Sequence, residues 1–482
     1  MVLAVILLSA PGCFRGVDEM SLLEMRQHNA MQDLDVYESM AVHIDIPVTL
    51  EDAIQYALEH NLLVWIAKQE KTFQEEMLTQ SKLRMLPSVD VNGEYSNRSE
   101  YIATSSVSIN SGQESLESSY SAEKRTNKFD VTATWDMIDF GVSYLRSRQA
   151  SDRTLISGQQ LRRQRQQLAF DVTRAYWQAV AAREAAQMAE GIRTAIEQMR
   201  QAIQQQVQEK TITEMDALKK ETPLLEQLLV LRRYESSYQS ARIELGRLMG
   251  LPIGSDFEIA EETFDDGLLA MVYNLSDLEQ EALLLRPELY EQDLEERISR
   301  NDARIAITRM FPSLATFFNF DYDDNKFLYV NSWHTIGLRA SWNLLSIPRR
   351  LSEHKAAELQ EDLISKRRIA QAVGILTQLH LAVIEYRDAM DQVELQSEIA
   401  MKRKELVAAV EANIEQGTSH QGELVEYQLK DLTARSRYLM TFAKIMVAQA
   451  RIVNTVGRDP VISIAKAEPE PDQVSEQTSS QP

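Results

Sequence analysis

Four segments of the chain alternate between apolar and polar residues with a period of two, and most of the remainder follows a helical rhythm. Val89, Val91 and Tyr95 alternate with Asp90, Asn92, Glu94 and Ser96; Phe129, Val131, Ala133 and Trp135 alternate with Lys128, Asp130, Thr132 and Thr134. Leu314, Phe318, Phe320 and Tyr322 stand against Ser313, Asn319 and Asp321, with Phe317 breaking the rule. Ile336, Leu338, Ala340 and Trp342 stand against Thr335, Arg339, Ser341 and Asn343. The pattern predicts amphipathic strands over about 88–96, 128–137, 313–322 and 335–344, each long enough to cross a bilayer when tilted.

Helical runs fill the space between them. Thr49 and Asp52 fit a capping box at the start of a helix that runs to Leu86 and is stopped by Pro87. Residues 140–209 and 346–416 contain no proline after the first turn and only isolated glycines, so each reads as one helix near 70 residues, roughly 105 Å long. The segments 50–86, 214–249, 275–310 and 422–456 read as helices of about half that length, roughly 54 Å. Two short helices end to end match one long one.

The chain also matches itself. "MLPSVDVNGEY" from Met85 and "MFPSLATFFNF" from Met310 stand at an offset of 225 residues, as do "ALEHNLLVW" (57–65) and "ALLLRPELY" (282–290). After the strands the offset falls to 207 and holds, from Trp135 and Trp342 through Thr211 and Thr418 to Gly250 and Gly457. The expected organisation is a tandem duplication of a helix–strand–strand–helix–helix unit. Repeat 1 spans 49–250 and repeat 2 spans 275–457, joined by an equatorial linker, 251–274. A signal or lipobox segment (1–13) and an extension (14–48) precede them, and a C-terminal segment with a disordered tail (458–482) follows. The connection between the first two strands is long, polar and rich in serine, which suits an extracellular barrel loop.

Composition narrows the setting. The 482 residues carry a formal net charge of −21, which argues against nucleic acid as a partner, since binding it needs a basic footprint. The single cysteine, Cys13, rules out a disulfide framework. It follows the short apolar run "VLAVILLSA" and "PG", a setting that resembles the lipobox of bacterial lipoproteins, so Cys13 is a candidate for lipidation. No later run of about 18 apolar residues exists, so a membrane-spanning form would have to be a β-barrel. Four strands cannot close a barrel, and open edges are not tolerated in lipid. The chain must therefore borrow strands from copies of itself. Three copies give a homotrimer with a 12-stranded barrel and a long α-helical tunnel, in a fold that is otherwise mainly α.

These features together resemble the TolC-like outer membrane efflux protein family, also called outer membrane factors. The opening "VTLEDAIQYALEHN", both Pro-Ser strand starts, the Trp…Asp-Phe-Gly strand exit, "LRPEL" and the helix end "LGRLMGLP" carry the resemblance. It implies an outer-membrane channel extending into the periplasm and serving a tripartite efflux or type I secretion system. The implied partners are a periplasmic adaptor protein, an inner-membrane pump and outer-membrane lipid. It places an adaptor-docking tip at the turns between long and short helices, at Lys210 and Thr211 in repeat 1 and at Gly417 and Thr418 in repeat 2. The periplasmic gate would then involve Asp216, Glu423 and Glu426, the last two three residues apart on one helix face. Lys210 stands where the pattern has glycine, so the first turn is expected to differ in shape from the second.

No nucleotide-binding glycine pattern, nucleophile elbow or metal-ligand spacing appears, so no enzyme, cofactor or metal site is expected. The remaining rival is a pore-less periplasmic coiled-coil scaffold or surface adhesin. Sustained heptads with one apolar face would mark it. Instead "QLAFDVTRAYWQAVAAREAAQMAEGIRTAIEQM" spreads alanine and apolar residues around the helix, as neighbours on two sides require.

Overall fold

The computed structural model describes residues 19–39, 44, 46–114, 117–264, 269, 273–418 and 420–460. Cys13 and the tail beyond residue 460 lie outside the described residues. In chain order the elements are α1 (Glu19–Ser39), α2 (Leu50–His60), α3 (Leu62–Leu83), β1 (Ser88–Asn97), β2 (Arg125–Asp136), α4 (Met137–Gln208) and α5 (Glu214–Met249). They continue with α6 (Leu275–Leu285), α7 (Pro287–Thr308), β3 (Ser313–Asp323), β4 (Ser332–Ser341), α8 (Ile347–Glu415) and α9 (Gln421–Val456). The two long helices have 72 and 69 residues, and α5 and α9 have 36 each.

The sequence predicts unbroken helices over 50–86 and 275–310; both are interrupted. Asn61 is extended (φ −69°, ψ 125°), and its buried side chain explains the break. Its amide donates to the Leu248 carbonyl (2.8 Å) and its oxygen accepts the Leu63 N–H (2.9 Å), restarting the helix as α3. Arg286 is extended as well (φ −65°, ψ 121°), because the ring of Pro287 disfavours helical geometry in the preceding residue. Gly250, which ends α5 at φ 81°, sits against the break at Asn61, where a Cβ would lie 2.8 Å from the His60 carbonyl oxygen. Only glycine fits there.

The chain divides into two compact units, one of residues 66–163 and 286–375, the other of 1–65, 164–285 and 376–482. The first unit holds one antiparallel sheet in the order β1-β2-β3-β4. In register, Val91 faces Val131, Val131 faces Phe320, and Phe318 faces Ile336. One face of the sheet is therefore mainly apolar, interrupted by Thr316, Ser332 and His334, and the other carries Asp90, Asp130, Asp321 and Arg339. β1 and β4 have no strand partner on their outer sides among the described residues. At the loop end, Tyr101 stacks on Tyr120 (4.3 Å), which meets Phe327 of the β3–β4 loop edge-on (5.5 Å). An ion pair from Lys326 to Glu123 (2.6 Å) ties the same two loops. At the helix end, Asp136 Oδ1 accepts the N–H groups of Ile138 and Asp139, starting α4 directly from β2. Beside the sheet, Gln149 of α4 donates to Asp302 of α7 (2.8 Å), and Arg300 of α7 donates to Glu361 of α8 (2.9 Å).

The second unit packs its core around Tyr176, Trp177, Leu245, Met249, Phe442 and Ile445, all buried. Val48 pairs with Ile259, and Tyr176 donates its hydroxyl to Glu262 (2.6 Å) beneath that pair. Burial, with the Glu262 carboxylate beside it, drives the Tyr176 phenol well above its usual range. The helical stretch Leu344–Glu415 is long and apolar enough to cross a membrane by length and composition, although it holds no uninterrupted apolar run. Its apolar residues divide between a buried row (Leu379, Ala382, Val383, Tyr386) and exposed positions such as Leu381 and Ile384, as in a helix with lateral neighbours.

Candidate functional site

Both long-to-short helix turns lie in the second unit, over one apolar cluster. Ile192, Ile196 and Ile203 of α4, Ala217, Leu224 and Leu231 of α5, and Val425 and Leu432 of α9 form it. Sequence repetition alone does not announce that packing. It follows from apolar residues recurring at seven-residue steps: 196 and 203, 217, 224 and 231, 425 and 432.

The two turns close in the same way. In the first, the Lys210 N–H donates to the Val207 carbonyl (3.0 Å) and the Thr211 N–H to Gln206 (2.9 Å). In the second, Gly417 donates to Ile414 (2.9 Å) and Thr418 to Asn413 (2.9 Å). Each threonine hydroxyl adds a bond to the same carbonyl as its own N–H, Gln206 at 2.9 Å and Asn413 at 3.0 Å. Lys210 has φ 55° and Gly417 φ 73°, both left-handed. The expectation that the lysine gives the first turn another shape is thus corrected. Three hydrogen bonds satisfy the helix-end carbonyls in both turns and hold residue 210 left-handed, against a cost of roughly 1–2 kcal/mol for a side chain there.

The candidate acidic residues have separate surroundings. Asp216 is the third residue after the N-cap Thr213. Its N–H donates to the Thr213 hydroxyl (3.2 Å), which donates to the Asp216 carboxylate (2.7 Å). That carboxylate thus holds the hydroxyl that caps α5. Glu423 holds the matching place after His420, which makes no side-chain cap. The His420 ring nitrogen lies 3.8 Å from the Glu423 carboxylate. Glu426 accepts from Lys430 (2.6 Å), and this hydrogen bond holds its carboxyl below the usual carboxylate range. Lys430 also lies over the Tyr427 ring (5.1 Å). Glu423 and Glu426 share one helix but are drawn to different partners. The pairing of Glu426 with Lys430 was readable as an i, i+4 contact. Glu426 and Lys430 line a groove of about 340 Å³ with Arg403, Leu429 and Arg437. Among the described residues, no group of three or more His, Cys, Asp or Glu is arranged to hold a metal ion.

Comparison with known proteins fits this geometry. No curated protein matches the chain. Among solved structures, the CmeC outer membrane channel of Campylobacter jejuni matches with a TM-score of 0.69 at 13% identity, over 86% of this chain and 86% of that one. The MtrE outer membrane channel of Neisseria gonorrhoeae, in its open state, gives 0.65 at 15% identity over 85% and 89%. The outer membrane protein VceC of Vibrio cholerae gives 0.64 at 12% identity over 85% and 96%. At such identities these likenesses speak for the fold. The sequence profile described as outer membrane efflux protein matches residues 53–251 and 278–458, most of the chain, so the protein belongs to the outer membrane efflux protein family.

Proposed function

We propose that three copies of this chain form a channel across the outer membrane and periplasm, through which cargo passes outward. The observation that carries this reading is the isolated four-stranded sheet. Its strands of 10–12 residues are amphipathic and long enough to span a bilayer, yet among the described residues both edges are unpaired. Pairing β1 of one copy with β4 of the next removes every edge and yields twelve strands, with the polar faces inward. The two helix–strand–strand–helix–helix halves read as a tandem duplication. Equal 36-residue helices α5 and α9 and matched turns support that reading.

The turns at Lys210–Thr211 and Gly417–Thr418 form the periplasmic tip that meets an adaptor protein, which connects to an inner-membrane pump. Glu423 and Glu426, with Asp216, surround the narrow entrance. Among the described residues Glu423 has no hydrogen-bonded cation beside it, so it contributes most of the field there. Cys13 anchors the chain through lipid, and Cys13→Ser would then abolish labelling by a palmitate analogue.

The test is mass in mild detergent followed by conductance in planar bilayers. The reading expects a trimer of the 55.0 kDa chain and cation-selective channels. Glu423→Gln with Glu426→Gln should lower that selectivity in an intact trimer. A monomer, or a trimer without conductance, contradicts the proposal.

A further inference from the structure

Phe317 is the one large apolar residue on the polar side of β3, and its surroundings give it a purpose. It lies on the polar face of the sheet, between Thr134 on β2 and Gly337 on β4. A Cβ at position 337 would stand 2.3 Å from Phe317 Cζ and 2.6 Å from its Cε1. The ring therefore covers β4 at the place where a side chain is missing, as aromatic residues do over strand glycines. The Arg339 guanidinium, two residues further along β4, lies over the same ring at 5.3 Å from its centroid. Arg339 is exposed, and among the described residues its N–H groups have no hydrogen-bond or carboxylate partner. An arginine stacked by its flat face keeps its donor edge free for a planar anion.

The nearby charges favour such a ligand at this level. In the row of Phe317 the neighbours are Ser88, Thr134 and Gly337; in the next row toward the loops they are Thr132, Asn319 and Thr335, with the Asp90 carboxylate on β1, three strands from β4 in the same copy. Asp136 stands in the row of Arg339 but two strands away. Its oxygens already accept from Ile138, Asp139 and Ser313, at the start of α4 where the helix dipole offsets negative charge. The pair Asp130–Asp321 lies four residues toward the loops from Phe317, roughly 13 Å, beyond a Debye length of about 8 Å.

Resting on the reading of the polar face as a pore lining, we propose that Phe317, Gly337 and Arg339 form a binding step for small aromatic carboxylates. Arg339 takes the carboxylate, and the Phe317 ring, held flat by Gly337, takes the apolar body. Each copy supplies one such step.

Equilibrium dialysis of 2-naphthoate against the purified full-length protein in mild detergent tests it. The protein should bind 2-naphthoate in preference to 2-naphthylmethylammonium, and acetate should not compete. Arg339→Gln should weaken binding about tenfold, the scale of one charge-assisted hydrogen bond. Phe317→Ala should weaken it severalfold, and Gly337→Ala should follow Phe317→Ala by displacing the ring. Asp90→Asn, on the edge strand, should leave binding unchanged. Equal binding by the Arg339→Gln and Phe317→Ala proteins overturns the proposal. So does a matched loss of oligomer heat stability in Arg339→Gln and Asp90→Asn without change in binding, which would make Arg339 a tie to a second copy. Current block by 2-naphthoate in planar bilayers separates the two readings. Arg339-dependent binding without any conductance leaves this site standing and removes the channel; conductance without Arg339-dependent binding does the reverse.

Discussion

The two helix turns share a backbone and a threonine contact, and differ in most of the other side chains around them. Residues 206–216 and 413–423 close with the same pair of N–H···O=C bonds and the same threonine hydroxyl contact. At the left-handed position the first turn carries Lys210 and the second Gly417. Three residues before the acidic position, the first turn has a capping Thr213 and the second an uncapped His420. At the next helical step the first has Lys219 where the second has Glu426. The shape of the tip is thus fixed by backbone satisfaction, and its charge is free to diverge. In the first turn the carboxylate accepts from the capping Thr213 hydroxyl, while in the second Glu423 stands 3.8 Å from the His420 ring.

That comparison can be broken in order of effect. Gly417→Val places a β-branched residue at φ 73° and should cost roughly 2 kcal/mol locally. Amide exchange of Thr418 is expected to rise about thirtyfold, while Thr211 exchange stays unchanged. Thr213→Ala removes the only side-chain cap of the pair and should cost about 1 kcal/mol, read as faster exchange in the first turn of α5. The same readout for His420→Ser should move the other way, because a hydroxyl there supplies the missing cap. Lys210→Gly should stabilise the first turn by about 1 kcal/mol or less, since relief of left-handed strain is partly offset by glycine's entropy. No change would mean that the three hydrogen bonds already absorb the strain.

The smallest effect is electrostatic. Glu426 is exposed, and its carboxyl is held low by the Lys430 hydrogen bond. A depressed pKa contributes stability above the ordinary carboxylate pKa and loses it as pH falls through the folded value. Lys430→Met should therefore raise the Glu426 titration midpoint toward the ordinary value, as followed by side-chain carboxyl NMR.

Much of this was legible in the sequence because it rests on local periodicity. The four strands begin and end within three residues of the alternating segments, and the two long helices match their proline-poor runs. What escaped depends on distant partners. The break at Asn61 is set by the Leu248 carbonyl, 187 residues away. The break at Arg286 was readable from Pro287, but the surrounding apolar rhythm runs through it unchanged. Phe317 is an anomaly until the register places Gly337 beside it. The shape of the turn at Lys210 was misjudged because residue preference suggests strain, while the hydrogen bonds that outweigh it come from carbonyls three to five residues back. Candidate site residues were recognisable by position; their occupancy, as with Asp216 in its cap, was not.

The central claim is that the second turn lines the narrowest point of a channel made by three copies. Glu423→Cys in a Cys13→Ser background leaves one thiol per chain, and modification by a bulky, membrane-impermeant thiol reagent can be followed in planar bilayers. The account predicts that complete modification at 423 removes most of the single-channel conductance, and that modification of Lys210→Cys in the same background removes much less. Full modification at position 423 with conductance unaltered would contradict it.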